Sequence, residues 1–217
     1  MKVHKLFETP LYHFEDKTFL NLNKICDKYI KEGKDLNKKI IKDREKHYKK
    51  KIGDFGLSHA STSLLEEPKI KEFGEFVGQT SFNILSSQGF DLSKHRLDFN
   101  ELWVQEFGKN GGGHQRVHIH YAHISGFYFL KCSERTSYPI FHDPRQGAMM
   151  TKLPYKDTKT MSMTQADIRP KPGTFLIFNS YLPHEFIVDP GVEPFRFIHF
   201  NLVCLPEKYF QHELSKK

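Results

Sequence analysis

Cysteine is scarce in this sequence of 217 residues, which contains only Cys26, Cys132 and Cys204. The three cysteines lie far apart and form no C-x-x-C pair. Neither a disulfide framework nor a cysteine-based zinc finger is therefore indicated. This usage favours a reducing compartment.

Long apolar runs are also lacking. The first ten residues, MKVHKLFETP, contain no apolar signal core, and no run approaches the ~18 apolar residues of a membrane span. We therefore expect a soluble protein with no membrane partner, cytoplasmic in its own cell or in the host cell if the protein is viral.

Acidic residues are outnumbered, with 26 Asp and Glu against 33 Lys and Arg, which gives a net charge of +7. Most of the excess lies in residues 38–51, KKIIKDREKHYKKK, and the rest of the chain is close to neutral. Such a run is most often a solvated helix face or a mobile loop. The alternative, a segment that holds nucleic-acid phosphates, stays open but is not favoured.

The sequence is rich in phenylalanine, with 20 residues of this type, which predicts a packed aromatic core and a single domain over residues 1–217. Apolar residues at helical spacing predict one helix from Asp16 to Gly33 and a second from Pro68 to Gly89. The first fifteen residues are expected to form an extended edge piece that is broken by Pro10.

From Arg96 onward the apolar residues alternate instead, beginning with RLDFNELWVQEF, and seven or eight short strands are predicted. Helices followed by strands predict a mainly β fold with N-terminal helices. We expect residues 1–95 to supply helical support and an edge strand, and residues 96–205 to form a β-sandwich or barrel.

Three histidines form a candidate metal site. His118 and His120 are two positions apart and would point to the same side of a strand, while His184 opens a later strand. Three ligands on one face of an octahedron leave the opposite positions open for catalysis. Arg196, in an otherwise apolar strand, would need a carboxylate partner, which a dicarboxylate cosubstrate could supply.

The assembled pattern, H-x-H, SGFYF, FHDPR, PGTFLIFNSYLPHE and RFIHFN, resembles the iron(II)- and 2-oxoglutarate-dependent oxygenases, in particular small members found in marine cyanophages. The resemblance covers about residues 99–201. It implies a double-stranded β-helix, that is, a jelly-roll or cupin-like barrel. It also implies Fe(II) at the histidines, 2-oxoglutarate bound through Arg196, and a reaction that usually hydroxylates the substrate.

One departure from the family pattern concerns the metal ligands. Many relatives carry H-x-D, whereas this chain has His120 where that aspartate would stand. We expect a site of three histidines, His118, His120 and His184. Alternatives are a carboxylate such as Asp143 in place of His120, a role for His123, or no metal at all.

Ser125 and Arg196 are the two candidates for contact with the cosubstrate. Ser125 could hydrogen-bond it, since the neighbouring Gly126 would let a ligand approach closely. The charge of Arg196 is expected to be only partly compensated in the free protein, because no acid stands beside it along its strand.

The leading hypothesis is an Fe(II)- and 2-oxoglutarate-dependent dioxygenase that hydroxylates a small molecule or a protein side chain. A cupin-like metal- or ligand-binding barrel without oxygenase activity is the alternative, and a nucleic-acid hydroxylase or demethylase is a third. The sequence predicts neither the substrate nor the oligomeric state.

Overall fold

The structure is a computed structural model that describes residues 1–2, 4, 6–108, 113–145, 154, 162–187 and 195–209. Two antiparallel sheets dominate this part of the chain. The larger sheet has six strands in the order β1-β8-β5-β10-β3-β2. Their bounds are Leu11–Glu15 (β1), Ser58–Ala60 (β2), His95–Phe107 (β3), Ile124–Lys131 (β5), Thr174–Asn179 (β8) and Phe195–Pro206 (β10).

The smaller sheet has four strands in the order β4-β9-β6-β7. Its strands are short, and they span Gln115–His118 (β4), Ile140–His142 (β6), Gln165–Asp167 (β7) and His184–Phe186 (β9). The two sheets face one another across a layer of phenylalanine rings. This layer includes Phe127 and Phe197 from the larger sheet and Phe141 and Phe186 from the smaller one.

Two helices cover the other face of the larger sheet, α1 at Leu22–Tyr48 and α2 at Lys71–Ser87. Short 3-10 turns at Thr18–Asn21 and Pro68–Ile70 lead into them, and a third follows β10 at Glu207–Tyr209. Strand alternation sorts the side chains between the two faces. On β10, Ile198, Phe200 and Leu202 pack towards the helices, whereas Phe195 and Phe197 lie between the sheets.

The expectation that the first helix ends at Gly33 is wrong, because α1 continues to Tyr48 and includes most of the basic segment 38–51. Gly33 serves packing instead. A Cβ atom there would lie 2.5 Å from the carbonyl oxygen of Ala60, so the missing side chain lets β2 approach the helix. The helix ends at Tyr48, and the next residue, Lys49, adopts a left-handed conformation.

The prediction of a mainly β fold with helices ahead of the strands is confirmed. β1 lies at an edge of the larger sheet, whereas β2, at the opposite edge, was not predicted. All three cysteines are free thiols. Among the described residues, no helix is long and apolar enough to cross a membrane.

Candidate metal centre

The three histidines that are predicted to bind a metal ion lie close together in the structure. His118 on β4 is the register partner of His184 on β9, so their side chains meet across the smaller sheet. His120 follows β4, where its backbone N–H donates to the carbonyl of Ser180. Ligand nitrogens of the three imidazoles lie within 4.8 Å of one another, and Nε2 of His120 is 3.2 Å from Nε2 of His184.

Hydrogen bonds to backbone carbonyls orient two of these rings. Nδ1 of His184 lies 3.0 Å from the carbonyl oxygen of Leu182, and Nδ1 of His118 lies 2.6 Å from that of Arg116. A carbonyl oxygen can only accept, so both Nδ1 atoms carry the hydrogen. The Nε2 lone pairs of His118 and His184 therefore remain available to a metal ion.

Burial keeps the two inner imidazoles neutral. It lowers the pKa of His184 to about 3 and that of His120 to about 4, in both cases because the charged form is desolvated. Neutral imidazole is the form that binds metal, so protons compete little with an ion at neutral pH. His118 and His120 are half-buried whereas His184 is fully buried, which leaves the open side of the cluster next to His118 and His120.

A second group of possible ligands overlaps the first. Glu101, His120 and His199 also place ligand atoms within 4.8 Å of one another. Glu101 already accepts a hydrogen bond of 2.5 Å from the amide of Asn201, and the same amide nitrogen lies 3.3 Å from Nδ1 of His120. Sequence reasoning assigned no role to Glu101, His199 or Asn201, although strand alternation places Glu101 on one face with Trp103 and Gln105.

Ser125, which is predicted to bind the cosubstrate, is completely buried, and its hydroxyl group makes two contacts. Its Oγ lies 2.6 Å from Oδ1 of Asn201 and 2.7 Å from Oγ of Ser180. The expectation for Gly126 is wrong, because its missing side chain makes room for protein and not for a ligand. A Cβ atom at Gly126 would lie 2.4 Å from the ring of Phe200.

Arg196 is not brought to the histidines. It stands three positions before His199 on β10, so the two side chains leave the strand on opposite faces. Arg196 is 3 % exposed and points towards α1. Its guanidinium is 2.6 Å from Glu106 and 2.7 Å from Asp27.

The expectation of a partly compensated charge on Arg196 is therefore wrong. Two carboxylates and Asn23 of α1 satisfy the guanidinium within the protein, because Glu106 lies directly across the sheet and α1 contributes Asp27. Cosubstrate binding through Arg196 does not fit this geometry.

The two alternative ligands lie elsewhere. The carboxylate of Asp143 pairs with Arg145 at 2.7 Å. His123 is exposed, and its Nδ1 accepts a hydrogen bond of 2.9 Å from the backbone of Cys204. Neither residue joins the histidine cluster in the part of the chain that the structure describes.

Two of the buried nitrogens that have no hydrogen-bond partner among the described residues are Nε2 of Gln105 on β3 and Nε2 of His199 on β10. The ring of His199 packs 4.2 Å from that of Trp103 and 4.7 Å from that of His120. Burial holds the pKa of His199 well below its ordinary value, so this ring is neutral. Unpartnered buried polar atoms are rare in native proteins, so these two nitrogens are candidate contacts for a bound ligand.

A cavity of about 570 Å³ lies between residues near the N-terminus and β6. Phe141, whose ring is 6.0 Å from that of His184, belongs to its wall, as does Leu182, which hydrogen-bonds His184. Much of the remaining wall is apolar and comes from Leu6, Phe7, Leu11 and Met163.

Comparison with known proteins bears on this site. Residues 101–201 match the family model described as "Putative 2OG-Fe(II) oxygenase". No curated protein sequence matches the chain significantly.

Among solved structures, a Pseudomonas putida prolyl-4-hydroxylase is similar, with a TM-score of 0.53, 12% identity, and coverage of 89% of this chain and 92% of the other. AviO1 from Streptomyces viridochromogenes is similar with a TM-score of 0.52, 8% identity, and coverage of 90% of each chain. At these identities the likeness shows the fold alone.

The family match places a 2OG-Fe(II) oxygenase domain over residues 101–201, the segment that contains all three clustered histidines. The chain is thus a dioxygenase whose cofactors are Fe(II) and 2-oxoglutarate. Three imidazole nitrogens are a donor set that suits Fe(II), so the residues present fit the ion. The match favours an oxygenase over a cupin-like barrel without this activity.

Proposed function

We propose that His118, His120 and His184 hold the Fe(II) through their Nε2 atoms and that the protein hydroxylates a small molecule or a protein side chain. The observation that supports this most directly is the 3.2 Å separation between Nε2 of His120 and Nε2 of His184. Two nitrogens at right angles around one ion, each about 2.1 Å from it, would stand ~3 Å apart.

We further propose that residues 1–217 form one domain and that its two sheets are the halves of a double-stranded β-helix. The six-stranded and four-stranded sheets, with phenylalanine rings between them, support this arrangement. Membership of the small subgroup found in marine cyanophages stays a prediction.

When bound, the iron would activate O2 for hydroxylation while 2-oxoglutarate is converted to succinate and carbon dioxide. The protein itself would hold the ion in a fixed position by occupying one face of its coordination sphere. Leu182 and Arg116 fix the tautomers of His184 and His118, and the surrounding phenylalanine rings exclude water from the buried side. The half-buried side next to His118 and His120 is left for the cosubstrate, O2 and the substrate.

The distal carboxylate of 2-oxoglutarate needs hydrogen-bond donors inside the protein. Arg196 is engaged by Glu106 and Asp27, and Ser125 is engaged by Asn201 and Ser180. We propose His199 instead, because its ring packs against that of His120 and its Nε2 has no hydrogen-bond partner among the described residues, together with Gln105, whose buried side-chain nitrogen likewise has none.

The experiment is an anaerobic titration of the metal-free protein with Fe(II) and 2-oxoglutarate, followed by the visible charge-transfer absorption of the chelate. We expect one ion per chain and absorption that requires both ligands. His118→Ala, His120→Ala and His184→Ala should each abolish stoichiometric binding. His123→Ala is the matched control, because His123 is an exposed histidine outside the cluster.

A different result would reject the assignment. If one of the three alanine variants bound iron as the wild type does, that histidine would not be a ligand. If the wild type bound no iron, the proposed function would fail as a whole.

A further inference from the structure

Three polar side chains form a row beside the metal centre. Asn201 on β10 is the register partner of Glu101 on β3 and of Ser125 on β5. The three residues therefore lie side by side across three neighbouring strands. Asn201, in the middle, also reaches His120.

The donors and acceptors in this row can be ordered without ambiguity. The carboxylate of Glu101 only accepts, so the atom of Asn201 that lies 2.5 Å from it must be the amide nitrogen. The other atom, Oδ1, then accepts from the hydroxyl of Ser125 at 2.6 Å. The second amide hydrogen of Asn201 is left for Nδ1 of His120 at 3.3 Å.

This order determines the tautomer of His120. Because Nδ1 of His120 accepts from Asn201, its hydrogen must be on Nε2, where it can be donated to Nε2 of His184 at 3.2 Å. His184 can accept there, since its own Nδ1 donates to Leu182. The hydrogen thus occupies the atom of His120 that would bind the metal.

The opposite order would free that atom. If the amide of Asn201 turned over, Oδ1 could accept from Nδ1–H of His120, and the amide nitrogen could donate to Ser125. Ser125 could then donate to Ser180, 2.7 Å away. The direction of every hydrogen bond in this row can be reversed in this way except the one to Glu101, because a carboxylate offers no hydrogen to Oδ1.

We propose that Asn201 is the positioning residue that sets the tautomer of His120, and that Glu101, acting through Asn201, holds the metal-free protein in the tautomer that cannot bind metal. Binding of an ion would then require the Asn201 amide to turn over and release Glu101, whose side chain is exposed. This inference rests on the proposed metal site. It also gives Glu101 a role near His120 other than that of a ligand of the ion.

The tautomer can be measured directly in the metal-free, ¹⁵N-labelled full chain by long-range ¹H–¹⁵N correlation, which distinguishes the protonated from the unprotonated ring nitrogen. We expect His120 to carry its hydrogen on Nε2 in the wild type. Asn201→Asp should move it to Nδ1, because the new carboxylate only accepts. Glu101→Gln should give a mixture, because an amide can satisfy either orientation of Asn201.

Glu66→Gln is the matched control, since Glu66 is an exposed glutamate far from this row in sequence, and it should behave as the wild type. A hydrogen on Nδ1 of His120 in the wild type would overturn the inference. So would the wild-type tautomer persisting in either the Asn201→Asp or the Glu101→Gln protein.

Zinc titration of the same samples separates this inference from the proposed function. Zn(II) should shift the signals of His118, His120 and His184 together and move the hydrogen of His120 to Nδ1. If Zn(II) shifted none of them, the metal site itself would fail, whatever the tautomer of the metal-free protein.

Replacing the positioning residue should change zinc affinity. Zn(II) should bind the Asn201→Asp protein about 10- to 100-fold more tightly than the Asn201→Leu protein, the usual range for a residue that orients a ligand. Leucine cannot accept from Nδ1–H of His120, whereas aspartate can. Equal affinities would contradict a positioning role.

Discussion

Arg196 offers a decisive test, because its replacement distinguishes a structural arginine from a cosubstrate anchor. Its Nε lies 2.8 Å from Glu106, a second nitrogen is 2.6 Å from the same carboxylate, and a third is 2.7 Å from Asp27. The side chains of Arg196 and Glu106 are 4% and 3% exposed, so neither charge has water to replace the other.

Arg196→Met would leave Glu106 buried, and the ammonium group of Lys34 would be its one remaining charged partner among the described residues. Removing one member of a buried ion pair costs about 3 to 5 kcal/mol. Lys34 is 46% exposed and can follow the carboxylate, so we expect a loss near the lower end of that range, about 3 kcal/mol. The double variant Arg196→Met/Glu106→Leu should recover most of this loss, because it leaves no unpaired buried charge.

Urea unfolding of the wild type, both single variants and the double variant measures these free energies, and 2-oxoglutarate titration of the folded, metal-loaded proteins measures the cosubstrate. We expect cosubstrate affinity to change little. A loss of stability below about 1 kcal/mol together with a fall in 2-oxoglutarate affinity of roughly 30-fold would refute this reasoning and restore Arg196 as the anchor. A double variant no more stable than Arg196→Met would refute the pairing with Glu106.

Three further changes probe the site and its support. The metal-free protein should lose stability as the pH falls below about 6.5, because burial lowers the pKa of His120 to about 4 and that of His184 to about 3, while the unfolded chain binds these protons near pH 6.5. Each histidine adds a slope of about 1.4 kcal/mol per pH unit, and urea midpoints that do not change between pH 6.5 and 4.5 would contradict this. His199→Phe should stabilise the metal-free protein by about 1 to 3 kcal/mol, because it removes an unpartnered buried nitrogen, and it should weaken 2-oxoglutarate binding. Thermal unfolding measures the first effect, and titration with 2-oxoglutarate measures the second. Gly126→Ala should cost about 1 to 3 kcal/mol in urea unfolding, because the new Cβ would lie 2.4 Å from the ring of Phe200, and a neutral effect would show that this ring can move.

The strands and the histidine cluster could be predicted from the sequence because both depend on local periodicity. Alternation predicted β3 and β10, and the two-residue spacing predicted that His118 and His120 would share a side. Placing His184 beside them needed only one further assumption, that it opens a neighbouring strand. The end of α1 was not accessible in this way, because Gly33 was interpreted as a helix stop although its role is to admit the backbone of Ala60.

The role of Arg196 could not be predicted because its partners are distant in sequence. Its neighbours along β10 include no acid, but Glu106 lies directly across the sheet, 90 residues earlier, and Asp27 comes from a helix. The register of two strands and the docking of α1 decide both contacts. The same limit applies to Glu101 and Ser125, which meet at Asn201 only because three strands align.

The charge of the metal centre bears on how the cosubstrate can bind without an arginine. The side chains that β10 directs between the sheets are Phe195, Phe197, His199 and Asn201, so this strand offers neutral groups where a cation was expected. Three neutral imidazoles also cancel none of the charge of a divalent ion, unlike a set with one carboxylate. The ion should therefore attract the chelating end of 2-oxoglutarate more strongly. On the proposed site, much of the affinity would then come from the metal end, and neutral donors such as Gln105 would suffice to orient the distal carboxylate.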